Sequence, residues 1–132
     1  MGKRTTGRRL AMQALYEADV AGKDIKEAVD DVLKSEEGFH QETKEFARQI
    51  AFGAWKKRED IDKDIARLSI GWPLDRIGMV DKSILRLAMY EIEKEKTPHS
   101  VVINEAVELA KKYSGAEAAK FINGILGAFI KS

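Results

Sequence analysis

Lys3, Arg4, Arg8 and Arg9 put four positive charges into the first sixteen residues, and no acid precedes Glu17. The rest of the 132-residue chain holds 19 bases against 22 acids, so a basic leading end stands on a mildly acidic body. That asymmetry points to an anionic partner at the leading end; the plain alternative is a solvated, frayed terminus. Arg8 and Arg9 fall in or near the expected opening turn of a first helix, where the macrodipole disfavours each positive charge by about 0.3–1 kcal/mol. Free backbone N–H groups and guanidinium groups placed together there make poor sense for folding and good sense for phosphate. Arg9, Gln13 and Tyr16 recur at offsets of four and seven and share one ribbon of that helix, roughly opposite its apolar stripe. A base, an amide and a ring on a solvent face could bind phosphate, hydrogen-bond a base edge and stack. The alternative is that Tyr16 caps the core edge and the arginines are ordinary surface. Near the other end of the chain, Phe121 stands at the margin of an apolar stripe beside Lys120, with Gly124 leaving room next to the ring. Such an aromatic can stack on an unpaired nucleobase for about 1–3 kcal/mol; the alternative is a plain core phenylalanine.

Catalytic groupings are not apparent. His40 and His99 are the two imidazoles, far apart and outside any H-E-x-x-H or comparable ligand spacing. His99 beside Ser100 is better read as a loop histidine before a helix than as a nucleophile–base pair. No glycine cluster follows a strand in the manner of a dinucleotide fingerprint or a P-loop. The acidic pairs Asp30-Asp31 and Glu36-Glu37 read as solvated helix surface. There is no cysteine, hence neither a disulfide framework nor a thiolate site. The expectation is a non-enzymatic protein with no cofactor and no metal. With 44% hydrophobic and 34% charged residues the composition is that of a soluble globular protein. No apolar run approaches the ~20 residues that span a bilayer, and no hydrophobic signal segment follows the basic start. A cytoplasmic location is expected.

The elements that must position these residues are helical. Thr5 or Thr6 is the expected cap of a first helix carrying Leu10, Ala11, Ala14, Leu15 and Ala18 and closing near Gly22. Asp24 with Glu27 makes a capping box for a second, with Ile25, Ala28, Val29, Val32 and Leu33 on one face and Gly38 as its interruption. From about Gln41 the series Phe46, Ile50, Ala54, Ile61, Ile65, Leu68 predicts one long helix, or two with a break in Lys56–Asp60. Gly71-Trp72-Pro73 punctuates it, and Pro73-Leu74-Asp75-Arg76 reads as a turn. Asp81 is the expected cap of a helix that is apolar almost all round (Ile84, Leu85, Leu87, Ala88, Met89, Ile92), the mark of a central, buried element. Pro98 stops the chain, Ser100 is the expected cap of a helix over Val101 to Tyr113, and Ser114-Gly115 ends it. A last helix uses Ala118, Phe121, Ile122, Ile125, Leu126 and Phe129. Six or seven amphipathic helices on short links predict an all-α compact bundle, one domain over 1–132.

Four blocks resemble the NusB family in order and spacing across nearly the whole chain. They are Arg8-Arg9-Leu-Ala-Met-Gln13-Ala-Leu-Tyr16; Asp75-Arg76-Ile77 with Val80-Asp81-Lys82-Ser-Ile-Leu85-Arg86-Leu-Ala-Met-Tyr90-Glu91; Ile103-Asn104-Glu105-Ala106-Val107-Glu108-Leu109-Ala110-Lys111; and Lys120-Phe121-Ile-Asn123-Gly124-Ile-Leu126. The resemblance implies two three-helix bundles and a role in processive transcription antitermination. It implies binding to single-stranded boxA RNA of ribosomal RNA leaders, strengthened by NusE, a small-subunit ribosomal protein, within an assembly on RNA polymerase. It assigns RNA contact to Lys3, Arg4, Arg8 and Arg9, and RNA contact or antitermination to Tyr16, Asp81, Lys120 and Phe121. Arg76, Glu105 and the outer faces of the last three helices are assigned to the NusE side. Thr5 and Thr6 stand where arginines are frequent in the family, and Ala118-Ala119 where some relatives carry polar residues. Both departures imply modest intrinsic RNA affinity and more reliance on the partner. A NusB-like domain also occurs fused to ribosomal RNA cytosine methyltransferases; the end of this chain at Ser132 favours the stand-alone factor. The competing reading is a helical protein–protein adaptor or homodimer without an RNA role, which the acid-free basic start disfavours.

Overall fold

The computed structural model describes residues 3–35, 38, 40–71 and 76–132. Among them the secondary structure is seven α-helices: α1 (Lys3–Ala21), α2 (Ile25–Ser35), α3 (Gln41–Lys56), α4 (Arg58–Leu68), α5 (Met79–Lys94), α6 (His99–Tyr113) and α7 (Ala116–Lys131). The expected turn at Pro73–Asp75 and the acidic pair Glu36-Glu37 lie outside the described residues. The long apolar series of the third helix resolves into two helices, α3 and α4, with Lys57 between them.

Helices α1, α2 and α3 pack on one another, as do α5, α6 and α7, giving two three-helix groups. Helix α5 is also packed against α1, α3 and α4, and therefore belongs to both groups. Its near-continuous burial, from Ser83 through Met89 with Glu91 and Ile92, follows from that position. Leu10, Leu15, Ile50, Ile65, Leu85, Met89, Ile122 and Leu126 are all sealed from solvent. Each such side chain contributes roughly 1.5–3 kcal/mol through removal of its apolar surface from water. Helix α3 approaches α5 closely at Gly53. A Cβ built on Gly53 would lie 2.0 Å from Tyr90 Cζ, so only glycine admits the ring there.

Three helix starts, those of α1, α5 and α6, differ from those expected. Helix α1 is already helical at Lys3, so Thr5 and Thr6 lie inside it and cap nothing. Helix α5 starts after Gly78, and Asp81 is its third residue, not its cap. Helix α6 starts after Pro98, which places Ser100 in its first turn. The residues preceding α5 and α6 have extended backbones and no side-chain cap hydrogen bond, so packing and proline stereochemistry set these starts. At the start of α2, Asp24 Oδ2 accepts from the Lys26 N–H at 3.1 Å, which is the Asp24 half of the expected capping box. Gly115, between α6 and α7, has φ +115°, a conformation natural only to glycine, and makes the sharp link between them.

Two buried arginines lace the groups together. The Arg86 guanidinium, on α5, donates from Nε and one terminal nitrogen to both Asp62 oxygens of α4 at 2.8 and 2.7 Å, and from the other nitrogen to Asp19 of α1. Arg8, on α1, donates from Nε and a terminal nitrogen to Glu91 of α5 at 2.8 and 2.5 Å, and from the other nitrogen to Glu105 of α6 at 3.1 Å. No fully buried side-chain polar atom among the described residues lacks a partner.

Candidate nucleic-acid interface

The start of α1 separates its four bases into two kinds. Lys3 and Arg4 are exposed in the first turn. Lys3 Nζ lies 3.4 Å from Glu42 across a solvent-exposed gap, a pairing of little energetic consequence. The Arg4 guanidinium lies 4.3 Å from the centre of the Phe46 ring, which holds the long side chain in place without using its donors.

Arg8 corrects the expectation drawn from its sequence position. Because α1 begins at Lys3, Arg8 belongs to its second turn, on the stripe with Ala11, Met12 and Leu15. It is 4% exposed, and both edges of its guanidinium are occupied by carboxylates. Burial pulls its pKa down, but hydrogen bonds and charge from Glu91, then Glu105, outweigh this and hold it above its ordinary value. A phosphate could reach Arg8 only by displacing a carboxylate from the interior. Arg8 is therefore a clamp between α1, α5 and α6, and the macrodipole argument made for it does not apply at that depth in the helix.

Glu105, expected on the partner side, turns inward as well. Its Oε1 accepts from the Thr5 hydroxyl at 2.5 Å and from Arg8, and its side chain is 22% exposed. Arg9, one residue beyond the clamp, is half-buried and lines a shallow groove between α1 and α6 with Thr6, Glu108, Leu109 and Lys112. Gln13 is half-buried further along α1, and Tyr16 is 38% exposed.

The second group of expected residues converges. Arg76, Asp81, Lys120 and Phe121 line one cleft of about 410 Å³, together with Gly78 and Glu117, where the N-terminal ends of α5 and α7 meet. Phe121 is half-buried and packs against the core. Lys120 and Arg76 are exposed. Asp81 Oδ1 accepts from the Ser114 hydroxyl at 2.6 Å, which ties the mouth of the cleft to the α6–α7 link. The cleft thus offers an aromatic ring, two cations and two carboxylates, Asp81 and Glu117, within one concavity. Those are the groups that stack an unpaired base, neutralise its phosphate and read an amino group on its edge. Arg76, expected on the partner side, stands here beside residues expected to contact RNA.

The structure does not bring the cleft and the basic tip of α1 together. Asp81 stands in the first turn of α5, whereas Arg4 shares a groove with Lys94, Glu95, Lys96, Thr97 and Pro98 beyond its last turn. Thirteen residues of helix separate position 81 from position 94, about 20 Å at 1.5 Å per residue. Lys94, Lys96 and Lys112 were not singled out from the sequence; their types alone carry no signal on a chain that is 34% charged.

Among the described residues, no group of three His, Cys, Asp or Glu side chains could hold a metal ion. No helix among them is long and apolar enough to cross a membrane. His40 and His99 are exposed on separate helix starts.

Comparison with known proteins gives a consistent answer. The family model described as "NusB family" matches residues 5–131. The transcription antitermination protein NusB of Symbiobacterium thermophilum is 44% identical over 136 residues, covering 97% of this chain and 89% of that protein. Among solved structures, T. maritima NusB superposes with a TM-score of 0.90 at 34% identity, over 100% of this chain and 92% of that one. A crystal structure of antitermination factors NusB and NusE in complex with double-stranded RNA superposes with a TM-score of 0.88 at 30% identity, over 98% and 96% of the two chains.

Proposed function

The chain belongs to the NusB family, and from that premise we propose that it is a transcription antitermination factor. It binds the boxA RNA of ribosomal RNA leader transcripts together with NusE and carries the assembly to RNA polymerase. It acts in the cytoplasm, as a single domain over 1–132 and without catalysis. The observation that carries the reading is the convergence of two segments distant in sequence, Arg76 with Asp81 and Lys120 with Phe121, in one open cleft.

The mechanism is that of a scaffold. An unstacked base leaves its neighbours and lies on Phe121, while Asp81, held by Ser114, accepts from an amino group on the base edge. Lys120 and Arg76 neutralise the adjoining phosphates and fix the register of the strand. Arg9, Gln13 and Tyr16 extend the surface along α1, and Lys3 and Arg4 add phosphate contacts at its tip. NusE docks on the outer faces of α6 and α7, where Val101, Tyr113 and Ile130 are exposed.

The test is a titration of boxA RNA against salt. With about four phosphates neutralised, log K should fall with log[salt] at a slope near −3, from about −0.7 per contact on a single strand. A flat response would remove RNA from the account and leave the helical adaptor.

A further inference from the structure

We infer that the groove beyond the C-terminal end of α5, between Arg4, Lys94 and Lys96, is a second phosphate site for the same RNA strand, resting on the RNA-binding function proposed above. The groove has a volume of about 570 Å³, with Thr97 and Pro98 completing its wall. Its charge balance is the first observation. Arg4, Lys94 and Lys96 outnumber the one carboxylate in its lining, Glu95, which accepts from the neutral Gln49 amide at 3.0 Å, and Glu42 is opposed by Lys3. Glu93 adds an exposed carboxylate on the last turn of α5. Arg4, Lys94 and Lys96 have no carboxylate partner among the described residues. Three cations against one carboxylate leave the concavity with an excess of positive charge, which attracts a polyanion.

The second observation is how Arg4 is held. Its guanidinium lies over the Phe46 ring, so its position is set by the core of the α1–α3 group while its N–H donors stay available in their plane. Beneath it, the Arg8–Glu91 pair fixes α1 against the end of α5. The groove is therefore built by the start of α1, the end of α5 and the short α5–α6 link.

The third is its distance from the base-binding cleft, about 20 Å along α5. At about 3.4 Å of axis per phosphate in a stacked strand, that separation corresponds to about six nucleotides. One continuous single strand could lodge a base on Phe121 and set phosphates in this groove. The two sites then select for strand length and polarity, which neither does alone.

The experiment measures binding of a 12-nucleotide single-stranded boxA RNA as a function of salt. It compares the wild type with Lys94→Ala/Lys96→Ala and with Lys26→Ala/Lys34→Ala, which removes equal charge from exposed positions on α2. All are exposed lysines, and equal thermal midpoints confirm intact folds. The groove predicts a slope shallower by about 1.4 for Lys94→Ala/Lys96→Ala, two contacts at about 0.7 each. Binding at 0.1 M salt should fall about tenfold, with the control pair unchanged. Equal losses in both variants would overturn the site in favour of net charge alone. A steep wild-type slope left intact by Lys94→Ala/Lys96→Ala would overturn it while the RNA function stands. A flat wild-type slope would overturn both.

Discussion

Two sets of basic side chains along α5 use positive charge in opposite ways. At its C-terminal end Arg8 is sealed between Glu91 and Glu105, each hydrogen bond satisfied within the protein. At its N-terminal end Arg76 and Lys120 stand exposed around a cleft with an aromatic floor. The first arrangement joins three helices and has nothing left to offer a ligand. The second contributes little to stability and leaves its donors to solvent. Basicity by itself therefore does not mark an RNA contact: burial and the carboxylates already in place decide between architecture and recognition.

The comparison breaks first at the clamp. Arg8→Ala leaves the Glu91 carboxylate buried without its cation, and should cost about 3–5 kcal/mol. Thermal unfolding should show a midpoint lower by roughly 10–20 °C. A shift of only a degree or two would mean that water reaches Glu91 and that the clamp is not structural. A smaller loss is expected from Thr5→Val, which removes the hydroxyl donor to Glu105 and should cost about 1–2 kcal/mol. Amide hydrogen exchange should then speed up along the first turns of α1, ahead of the rest of the chain.

The cleft should respond in the reverse sense. Arg76→Ala/Lys120→Ala should leave the thermal midpoint within about a degree, since exposed substitutions usually cost under 0.5 kcal/mol. The same variant should make the salt dependence of RNA binding shallower by about 1.4. Filter binding across a salt series reads both affinity and slope; an unaltered slope would move the phosphate contacts elsewhere.

The smallest effect is one of pH. Burial, and secondarily the charge of Glu95, raise the Tyr90 phenol above its ordinary value of 10.0. A folded-state pKa above the unfolded one means the contribution is complete below pH 10 and is lost as pH rises through the folded value. Wild-type stability should therefore fall more steeply above pH 10 than that of Tyr90→Phe, measured by urea unfolding at pH 9 and pH 11. Parallel profiles would show that the ring packed on Gly53 is not shielded from water.

Much of the fold was legible in the sequence because periodicity survives packing. The stripe of Leu10, Ala11, Ala14 and Leu15 and the all-round apolar character of α5 are the faces that are buried. Helix starts were less legible: Thr5, Asp81 and Ser100 are good capping types, yet each lies inside its helix. A cap adds about 1 kcal/mol, which packing of whole turns outweighs. Arg8 was misread because the carboxylates that make its burial possible lie 83 and 97 residues away. The available signal was its place on the stripe three, four and seven residues before Ala11, Met12 and Leu15. Lys120 and Phe121 were named from the margin of an apolar stripe and again through family resemblance, Asp81 as a site residue through resemblance alone, and only the fold put Arg76 beside them. Lys94 and Lys96 carried no local signal, since their neighbour Arg4 is some ninety residues distant in the chain.

The central claim is that the cleft floored by Phe121 takes a base of boxA RNA. Fluorescence anisotropy of labelled boxA RNA with NusE, comparing wild type with Phe121→Ala, measures it directly. Loss of one stacked base, about 1–3 kcal/mol, predicts an affinity lower by about 5- to 150-fold, with a salt slope unchanged because no phosphate contact is removed. Equal affinity for a folded Phe121→Ala protein would contradict the account.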